Sequence, residues 1–143
     1  TDESYIIFLD EIDKFSAIKK LATVFENTPI CSDVEELSRA LLEREEIMST
    51  GIGFGIAIPH AKIKAVNEMA FAIGIVKEGI NYDSMDGEPV NLIILVAAEE
   101  KQHKEYLRLL SNIMSIIKQE DVKEKLLQAQ TSSEVIDIIK TAE

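Results

Sequence analysis

Three glycines, Gly51, Gly53 and Gly55, alternate with larger residues, and the apolar run that follows them ends in Pro59 and His60. Glycine adopts backbone conformations that other residues avoid, so this spacing predicts a tight turn that leads into a strand. Proline has no amide hydrogen to donate to a neighbouring strand, so the strand is expected to stop there. The segment therefore predicts a turn, a short buried strand and a histidine at the strand end.

A chain of 143 residues can bury one proper core but is short for two, and we expect a single domain over residues 1–143. The net charge of −11 argues against binding to nucleic acid or to an anionic membrane surface, both of which need a basic face. The charge suits a protein partner with a basic docking face, although acidity that merely aids solubility is the alternative.

The single cysteine, Cys31, excludes an internal disulfide and a multi-cysteine metal site, and this usage is typical of a reducing compartment. No window approaches the ~20 consecutive apolar residues that a membrane span requires. The acidic start lacks the basic segment of a signal peptide. We therefore expect a cytoplasmic chain with no direct membrane insertion.

Capping residues mark two helix starts in the first third of the chain. Asp13 precedes apolar residues at helical spacing and predicts a helix that ends near Glu26. Asp33 and Glu36 have the spacing of a capping box and predict a second helix, with its apolar positions facing inward.

The middle third changes to the pattern of strands. Apolar runs bounded by turn residues predict strands at Phe54–Ile58, Met69–Val76 and Val90–Ala97. The last run lacks polar alternation, which predicts a central strand that is buried on both faces. Tyr82–Pro89 is a turn-rich connector, and Gly79–Tyr82 is a candidate short edge strand before it.

Helical periodicity returns in the last third. It predicts a helix over about residues 101–118, a short helix near Val122–Ala129, and a last helix opened by the capping pair Thr131 and Glu134. The apolar stripe of the first of these helices comprises Tyr106, Leu109, Leu110, Ile113 and Ile117. Because strands and helices do not alternate regularly, we predict an α/β (mixed α+β) fold in which helices cover a mixed β-sheet.

The glycine run does not match a nucleotide-binding motif. Its spacing differs from that of the dinucleotide fingerprint, and it precedes a strand rather than a helix. The chain also lacks the glycine-rich loop that ends in Gly-Lys-Ser or Gly-Lys-Thr. No nucleotide cofactor is therefore predicted.

The chain has two histidines, and the predicted strands bring both to one part of the fold. His60 ends one strand, and imidazole serves as nucleophile, base or metal ligand near neutral pH, although a lone histidine is often structural. His103 begins a helix directly after the buried strand and shares a helix line with Leu107 and Leu110, which predicts an inward position. If the two strands are parallel, both histidines lie at their carboxyl ends, where open sheets place ligands.

Arg44 occupies a helix position where the pattern calls for an apolar residue. It is either an arginine whose stem packs on the surface near the helix end, or a guanidinium that faces an anion. With His60, His103 and the Ser-Thr-Gly turn at Thr50, it predicts an anion-binding site. Two histidines make a poor zinc site, so no metal is predicted.

These residues resemble those of a known family. Arg44–Glu46, Ser49–Gly53 and Gly55–His60 resemble the IIA phosphocarrier domain of the fructose/mannitol type, from the bacterial phosphoenolpyruvate-dependent sugar phosphotransferase system. The resemblance continues through Gly79-Ile80 and through Val90–Ala97 to His103, and it covers about residues 9–139.

The resemblance implies a mixed sheet with helices on both faces and a phosphohistidine intermediate. His60 would accept a phosphoryl group from the carrier protein HPr and pass it to a cysteine of a IIB domain or component. Arg44 and His103 would flank the phosphohistidine, and Thr50 would contact the phosphoryl group from the turn. The family needs no metal or other cofactor for this transfer.

Two positions depart from the family pattern. Phe54 stands where a small polar residue is frequent, and Ala61 stands where a glycine follows the histidine. Neither change removes a reacting group, but Phe54 could reshape a docking surface. Two alternatives stay open: a regulatory IIA-like domain, of the nitrogen-related type or part of a transcription regulator, that is phosphorylated at the same histidine, and a binding module without phosphoryl transfer.

Overall fold

A computed structural model of the chain describes residues 5–10 and 13–142, with the side chains of residues 103 and 120 outside that description. The described residues form α-helices at α1 Lys14–Ala22, α2 Val34–Ile47, α3 His103–Ile117, α4 Glu120–Gln128 and α5 Ser132–Ala142, and a 3-10 turn at Thr23–Phe25. They form strands at β1 Ile6–Phe8, β2 Gly51–Gly53, β3 Ile56–Ala57, β4 His60–Ile63, β5 Ala70–Ile80 and β6 Val90–Glu99.

The strands form one mixed sheet with β6 at its centre. The strand order is β1-β5-β6-β3-β2, and β4 follows β3 along the same side of β6. β3 and β4 are parallel to β6, whereas β5 is antiparallel to it. β1 is parallel to β5, and β2 is antiparallel to β3. The central position of β6 explains its nearly continuous apolar sequence.

Helices cover both faces of this sheet, which confirms the predicted fold class. Alternate residues of a strand point to opposite faces, so β6 contributes to two cores. Ile93, Leu95 and Ala97 pack with α1 and α2 on one face. Leu92, Ile94 and Val96 pack with α3, α4 and α5 on the other face. In the described part of the chain, every helix is too short or too polar to cross a bilayer.

Side-chain caps begin three of the predicted helices, α1, α2 and α5. The Asp13 carboxylate accepts a hydrogen bond from the Ser16 amide at 2.9 Å, and Asp33 accepts one from Glu36 at 3.1 Å. Each bond satisfies an amide that has no partner within the helix. The 3-10 turn extends α1 to Phe25, in agreement with the predicted end near Glu26. α5 is capped in the same way by Thr131.

The strand predicted at Phe54–Ile58 is wrong in its extent. Only Ile56 and Ala57 form β3, while Phe54 and Gly55, both with positive φ, form the turn that joins β2 to β3. The strand is interrupted at Ile58 and Pro59 and resumes as β4, so His60 begins a strand instead of following one. His60 pairs with Val96, three residues before β6 ends.

The short edge strand predicted at Gly79–Tyr82 is also wrong. Gly79 and Ile80 are the last residues of β5, which continues past a register shift between Ile75 and Ile80. Tyr82 lies in the connector with its side chain fully buried. Beyond the register shift, β5 pairs with β6 again, with Ile80 opposite Val90.

The buried face of α3 differs slightly from the predicted one. Tyr106, Ile113 and Ile117 are buried as the stripe predicts. Leu107, which the sequence pattern places on the same helix line as Leu110, is 51% exposed, whereas Leu110 is half-buried and packs against the second core.

Candidate functional site

The position of His60 follows from the interruption at Pro59. The carbonyl of Pro59 accepts a hydrogen bond from the Val96 amide at 2.9 Å, so this residue faces β6. Ile58 faces the other way, and its amide donates to the Thr50 carbonyl at 3.0 Å. The Ile58 carbonyl is the acceptor that lies 2.9 Å from the Nδ1 atom of His60.

This hydrogen bond determines which ring nitrogen of His60 can react. A carbonyl oxygen only accepts hydrogen bonds, so Nδ1 must carry the proton. In a neutral imidazole the lone pair then lies on Nε2, at the far side of the half-buried ring. The local backbone therefore prepares Nε2 of His60 as a nucleophile.

Tyr106 of α3 lies against the His60 ring. The two ring centroids are 5.8 Å apart, and the ring planes are inclined by 50°. Burial raises the pKa of the Tyr106 phenol to about 12, and the charge of Arg44 acts in the opposite direction. The charge of Arg44 on α2 therefore acts on a phenol of α3, although the two helices are far apart in the sequence.

Two cations, Lys62 and Arg44, interact with Tyr106. The Nζ atom of Lys62 lies 5.1 Å from the centroid of the Tyr106 ring, in cation–π geometry. Arg44, in the last turn of α2, donates from Nη1 to the Met48 carbonyl at 2.8 Å. A guanidinium has five N–H donors, so this bond leaves others for an anion. We call His60, Tyr106, Arg44 and Lys62 the His60 site.

Thr50 lies beside the His60 site in a buried position. Its amide donates to both carboxylate oxygens of Glu45, at 3.0 and 3.1 Å. Its hydroxyl is 3.0 Å from the hydroxyl of Tyr82. Since the Thr50 carbonyl also accepts the amide of Ile58, Thr50 connects the site to the interior.

A buried polar cluster is connected to the His60 site through Thr50. The cluster comprises Lys14, Glu45, Thr50 and Tyr82. Glu45 is 2% exposed, and its carboxylate is 3.5 Å from the Nζ atom of Lys14. The same Nζ atom donates to the Tyr82 carbonyl at 3.3 Å. Burial raises the pKa of Tyr82 far above its usual value. Each charge thus has a partner, as buried charges require.

The sequence interpretation missed three of these residues. Tyr106 was assigned to an apolar stripe, and only its contact with His60 shows that it also belongs to the site. Lys62 shares a face of β4 with His60 because the two residues are two positions apart, a signal that the strand pattern offers. Glu45 occupies a buried helix position four residues after Leu41, where a carboxylate needs a partner.

The predicted site residues are placed as follows. Tyr106 packs against His60 and lies within the electrostatic reach of Arg44. Thr50 is joined to them through the Ile58 backbone. His103 is the first residue of α3, as predicted, but its side chain lies outside the described part of the structure, so its role stays a prediction. Within the described side chains, no cluster of three His, Cys, Asp or Glu residues could hold a metal ion.

Comparison with known proteins shows the family of the chain. Residues 1–142 match the family model described as "Phosphoenolpyruvate-dependent sugar phosphotransferase system, EIIA 2". The chain belongs to this family. Members are phosphotransferase components that act as phosphocarriers, and membership confirms the resemblance deduced from the glycine and proline–histidine motifs.

Curated relatives carry fructose-specific names. The chain is 37% identical over 131 residues to the fructose-specific EIIABC component of Bacillus subtilis. The alignment covers 92% of the chain but only 21% of that protein. The chain thus spans about a fifth of that relative. The chain is also 36% identical over 126 residues to the fructose-specific EIIA component of Haloferax volcanii. This alignment covers 88% of the chain and 82% of that protein.

Solved structures share the fold over almost the whole chain. The nitrogen regulatory protein IIA-Ntr of Neisseria meningitidis aligns with a TM-score of 0.86 at 26% identity, over 96% of this chain and 94% of that chain. The enzyme IIAMTL of Escherichia coli, solved in complex with phosphorylated IIBMTL, aligns with a TM-score of 0.84 at 20% identity, over 99% and 97% of the two chains. The second likeness is evidence of the fold alone.

Proposed function

We propose that His60 accepts a phosphoryl group on Nε2 from the phosphohistidine of HPr and passes it to a cysteine thiolate of a IIB domain or component. The hydrogen bond between Nδ1 of His60 and the Ile58 carbonyl is the observation that carries this proposal, because it leaves Nε2 as the nucleophile. We place this activity in a single domain over residues 1–143.

The proposed reaction consists of two transfers. In the first, the Nε2 lone pair forms a P–N bond while the P–N bond of phospho-HPr breaks and leaves that imidazole with its lone pair. In the second, the thiolate forms a P–S bond while the P–N bond to His60 breaks, and Nε2 regains its lone pair. Neither step consumes a cofactor, so the protein contributes position and charge.

The charges near His60 suit a phosphoryl group. Lys62 lies over the ring of Tyr106, which packs against the imidazole, and the charge of Arg44 acts on the same phenol. Positive charges held in place before the reaction stabilise the negative charge of the equatorial oxygens during transfer. We assign Arg44 to this task, with Thr50 and His103 as further residues near the phosphoryl group.

Apolar side chains next to the His60 site favour protein partners. Ile47, at the end of α2, is 81% exposed, and Met48 and Leu107 are also exposed. The Met48 carbonyl accepts a hydrogen bond from Arg44, and Ile47 and Leu107 are neighbours in sequence of Met48 and Tyr106. Large apolar side chains that face solvent around a reactive group are typical of a docking surface. The net charge of −11 favours partners with a basic face, in the cytoplasm where HPr and IIB components meet.

We infer that the transfer serves sugar uptake, with a sugar of the fructose or mannitol type. The fructose-specific names of two relatives at 36–37% identity support this assignment. A regulatory role is the second candidate, because the chain is also 31% identical over 107 residues to a nitrogen regulatory protein of Pseudomonas aeruginosa. Both candidates use the same phosphohistidine.

The test uses phosphoenolpyruvate and the general phosphotransferase proteins. Intact-mass measurement and peptide mapping should show one acid-labile phosphoryl group, at His60. His60→Ala protein should show none, while His103→Ala protein should still be labelled. Labelling of the His60→Ala protein would disprove the assignment. Transfer onward to a fructose-type IIB protein supports sugar uptake, whereas phosphorylation without transfer to such a partner supports regulation.

A further inference from the structure

Tyr106 is the residue of α3 at the centre of the His60 site. Its ring lies against the imidazole, with centroids 5.8 Å apart, and Lys62 lies over the same ring. Its phenol interacts electrostatically with Arg44. The side chain is almost completely buried, so it has few rotamers available. One side chain therefore contacts the proposed nucleophile and Lys62, and it lies within the electrostatic reach of Arg44.

The imidazole can turn about the bond that joins its ring to Cβ, and the hydrogen bond from Nδ1 to the Ile58 carbonyl opposes this rotation. A flip about that bond would exchange the nitrogen and carbon edges and lose the hydrogen bond. The Tyr106 ring packs against the imidazole and restricts this movement.

We propose that Tyr106 is the positioning residue of α3 for phosphoryl transfer: its ring and the Ile58 carbonyl together hold the His60 imidazole with Nε2 facing the partner protein. This inference rests on the proposed role of His60. Tyr106 lies three residues after His103 in α3, and it adds a neutral aromatic ring to the residues that the resemblance places beside the phosphohistidine.

The position of the nucleophile governs the rate of a transfer that depends on alignment. A displacement of about 1 Å can slow such a reaction by about a hundredfold. Tyr106→Leu removes the flat ring and leaves a buried apolar side chain. Tyr106→Phe keeps the ring and removes only the hydroxyl. These two variants separate ring packing from any role of the hydroxyl.

The experiment combines single-turnover transfer from phospho-HPr with nitrogen-15 NMR of the unphosphorylated protein, which reports the His60 tautomer. Tyr106→Phe should transfer within about threefold of the unchanged protein and keep the proton on Nδ1. Tyr106→Leu should transfer at least about tenfold more slowly, the loss of ~1.4 kcal/mol of transition-state stabilisation, and should show a mixture of tautomers. Ile113→Ala is the matched control, since it removes a buried side chain from the same face of α3.

The control should have a lower melting temperature but an unchanged tautomer and rate, measured well below that temperature. An unchanged tautomer and rate in Tyr106→Leu would overturn the inference, and so would equal slowing in Tyr106→Leu and Ile113→Ala. Slowing of Tyr106→Phe to the rate of Tyr106→Leu would assign the effect to the hydroxyl and overturn the role of the ring. If the unchanged protein takes no phosphoryl group at His60, the proposed function fails, while the tautomer measurement still tests Tyr106.

Discussion

The buried carboxylate of Glu45 binds the backbone amide of Thr50 through both of its oxygens, at 3.0 and 3.1 Å. Glu45 follows Arg44 directly on α2, and Thr50 accepts the amide of Ile58, whose own carbonyl holds His60. A single buried carboxylate thus ties the helix that carries the guanidinium to the backbone that orients the imidazole. The cation Lys14, 3.5 Å away, balances its charge.

We therefore predict that Glu45→Ala lowers the free energy of unfolding by about 3 kcal/mol, because it leaves the Thr50 amide buried without a partner and removes the buried carboxylate from Lys14. Lys14 then keeps only the Tyr82 carbonyl at 3.3 Å and the exposed carboxylate of Asp83 at 3.7 Å. Glu45→Gln, which keeps an acceptor oxygen, should cost less. Urea denaturation measures both. Glu46→Ala, at an exposed neighbouring position, is the control and should change stability by less than about 0.5 kcal/mol. Equal stabilities of the Glu45→Ala and Glu46→Ala proteins would contradict a structural role for this carboxylate.

Arg44 offers a test of guanidinium geometry. Lysine keeps the charge and most of the apolar stem, but it lacks the planar fork that binds two oxygens. We predict that Arg44→Lys slows transfer from phospho-HPr by about tenfold or more, the equivalent of ~1.4 kcal/mol, with a nearly unchanged melting temperature. Arg39→Lys, on an exposed position of α2, should change neither quantity. Normal transfer by Arg44→Lys would show that only the charge matters, and a collapsed melting temperature would make Arg44 a structural residue.

The buried tyrosines predict a loss of stability in alkaline solution. An unfolded tyrosine has a pKa of about 10, whereas burial raises the pKa of Tyr106 to about 12. Below pH ~10 the folded and the unfolded chain both keep the phenol proton, so Tyr106 adds no pH dependence to stability. Between the two values the unfolded chain releases the proton while the folded chain holds it, so stability falls as pH rises.

Melting temperatures measured from pH ~8 to ~12 should fall above pH ~10. The fall should be smaller for Tyr106→Phe, which has no proton to release. Tyr82→Phe should behave in the same way, since burial also raises the pKa of Tyr82. The other side chains are the same in all three proteins, so the difference between the curves reports the substituted tyrosine. Parallel curves for all three would refute the prediction.

Phe54 occupies a conformation that a bulky residue disfavours. Its φ is 59°, in the left-handed region, and its side chain is 81% exposed. Asparagine enters this region more readily than phenylalanine, and the substitution gives up little buried apolar surface. We predict that Phe54→Asn raises the free energy of unfolding by about 0.5–1 kcal/mol, measured by urea denaturation. Met85→Asn, at a similarly exposed position, should leave stability unchanged. Destabilisation by Phe54→Asn would show that the ring makes contacts that outweigh the backbone strain.

Local patterns in the sequence determined the helix starts, the central strand and the family of this protein. Asp13 and Asp33 begin helices because a capping carboxylate acts within three residues. The apolar run of β6 required a central, doubly covered strand. The glycine and proline–histidine motifs were sufficient to identify the family and to single out His60. Each of these features depends on residues that are close together in the chain, so the sequence alone expresses it.

The tertiary structure decided which distant residues meet. His103 and Tyr106 are three residues apart on α3, and helical periodicity makes them neighbours on the helix surface. Only the rotation of α3 against the sheet, and the register that pairs His60 with Val96, bring Tyr106 to the imidazole. The Glu45–Lys14 ion pair likewise depends on how α2 packs against α1. Periodicity in the sequence specifies which face of a helix is buried. The packing of side chains in the two cores then sets where that face lies on the sheet or on a neighbouring helix.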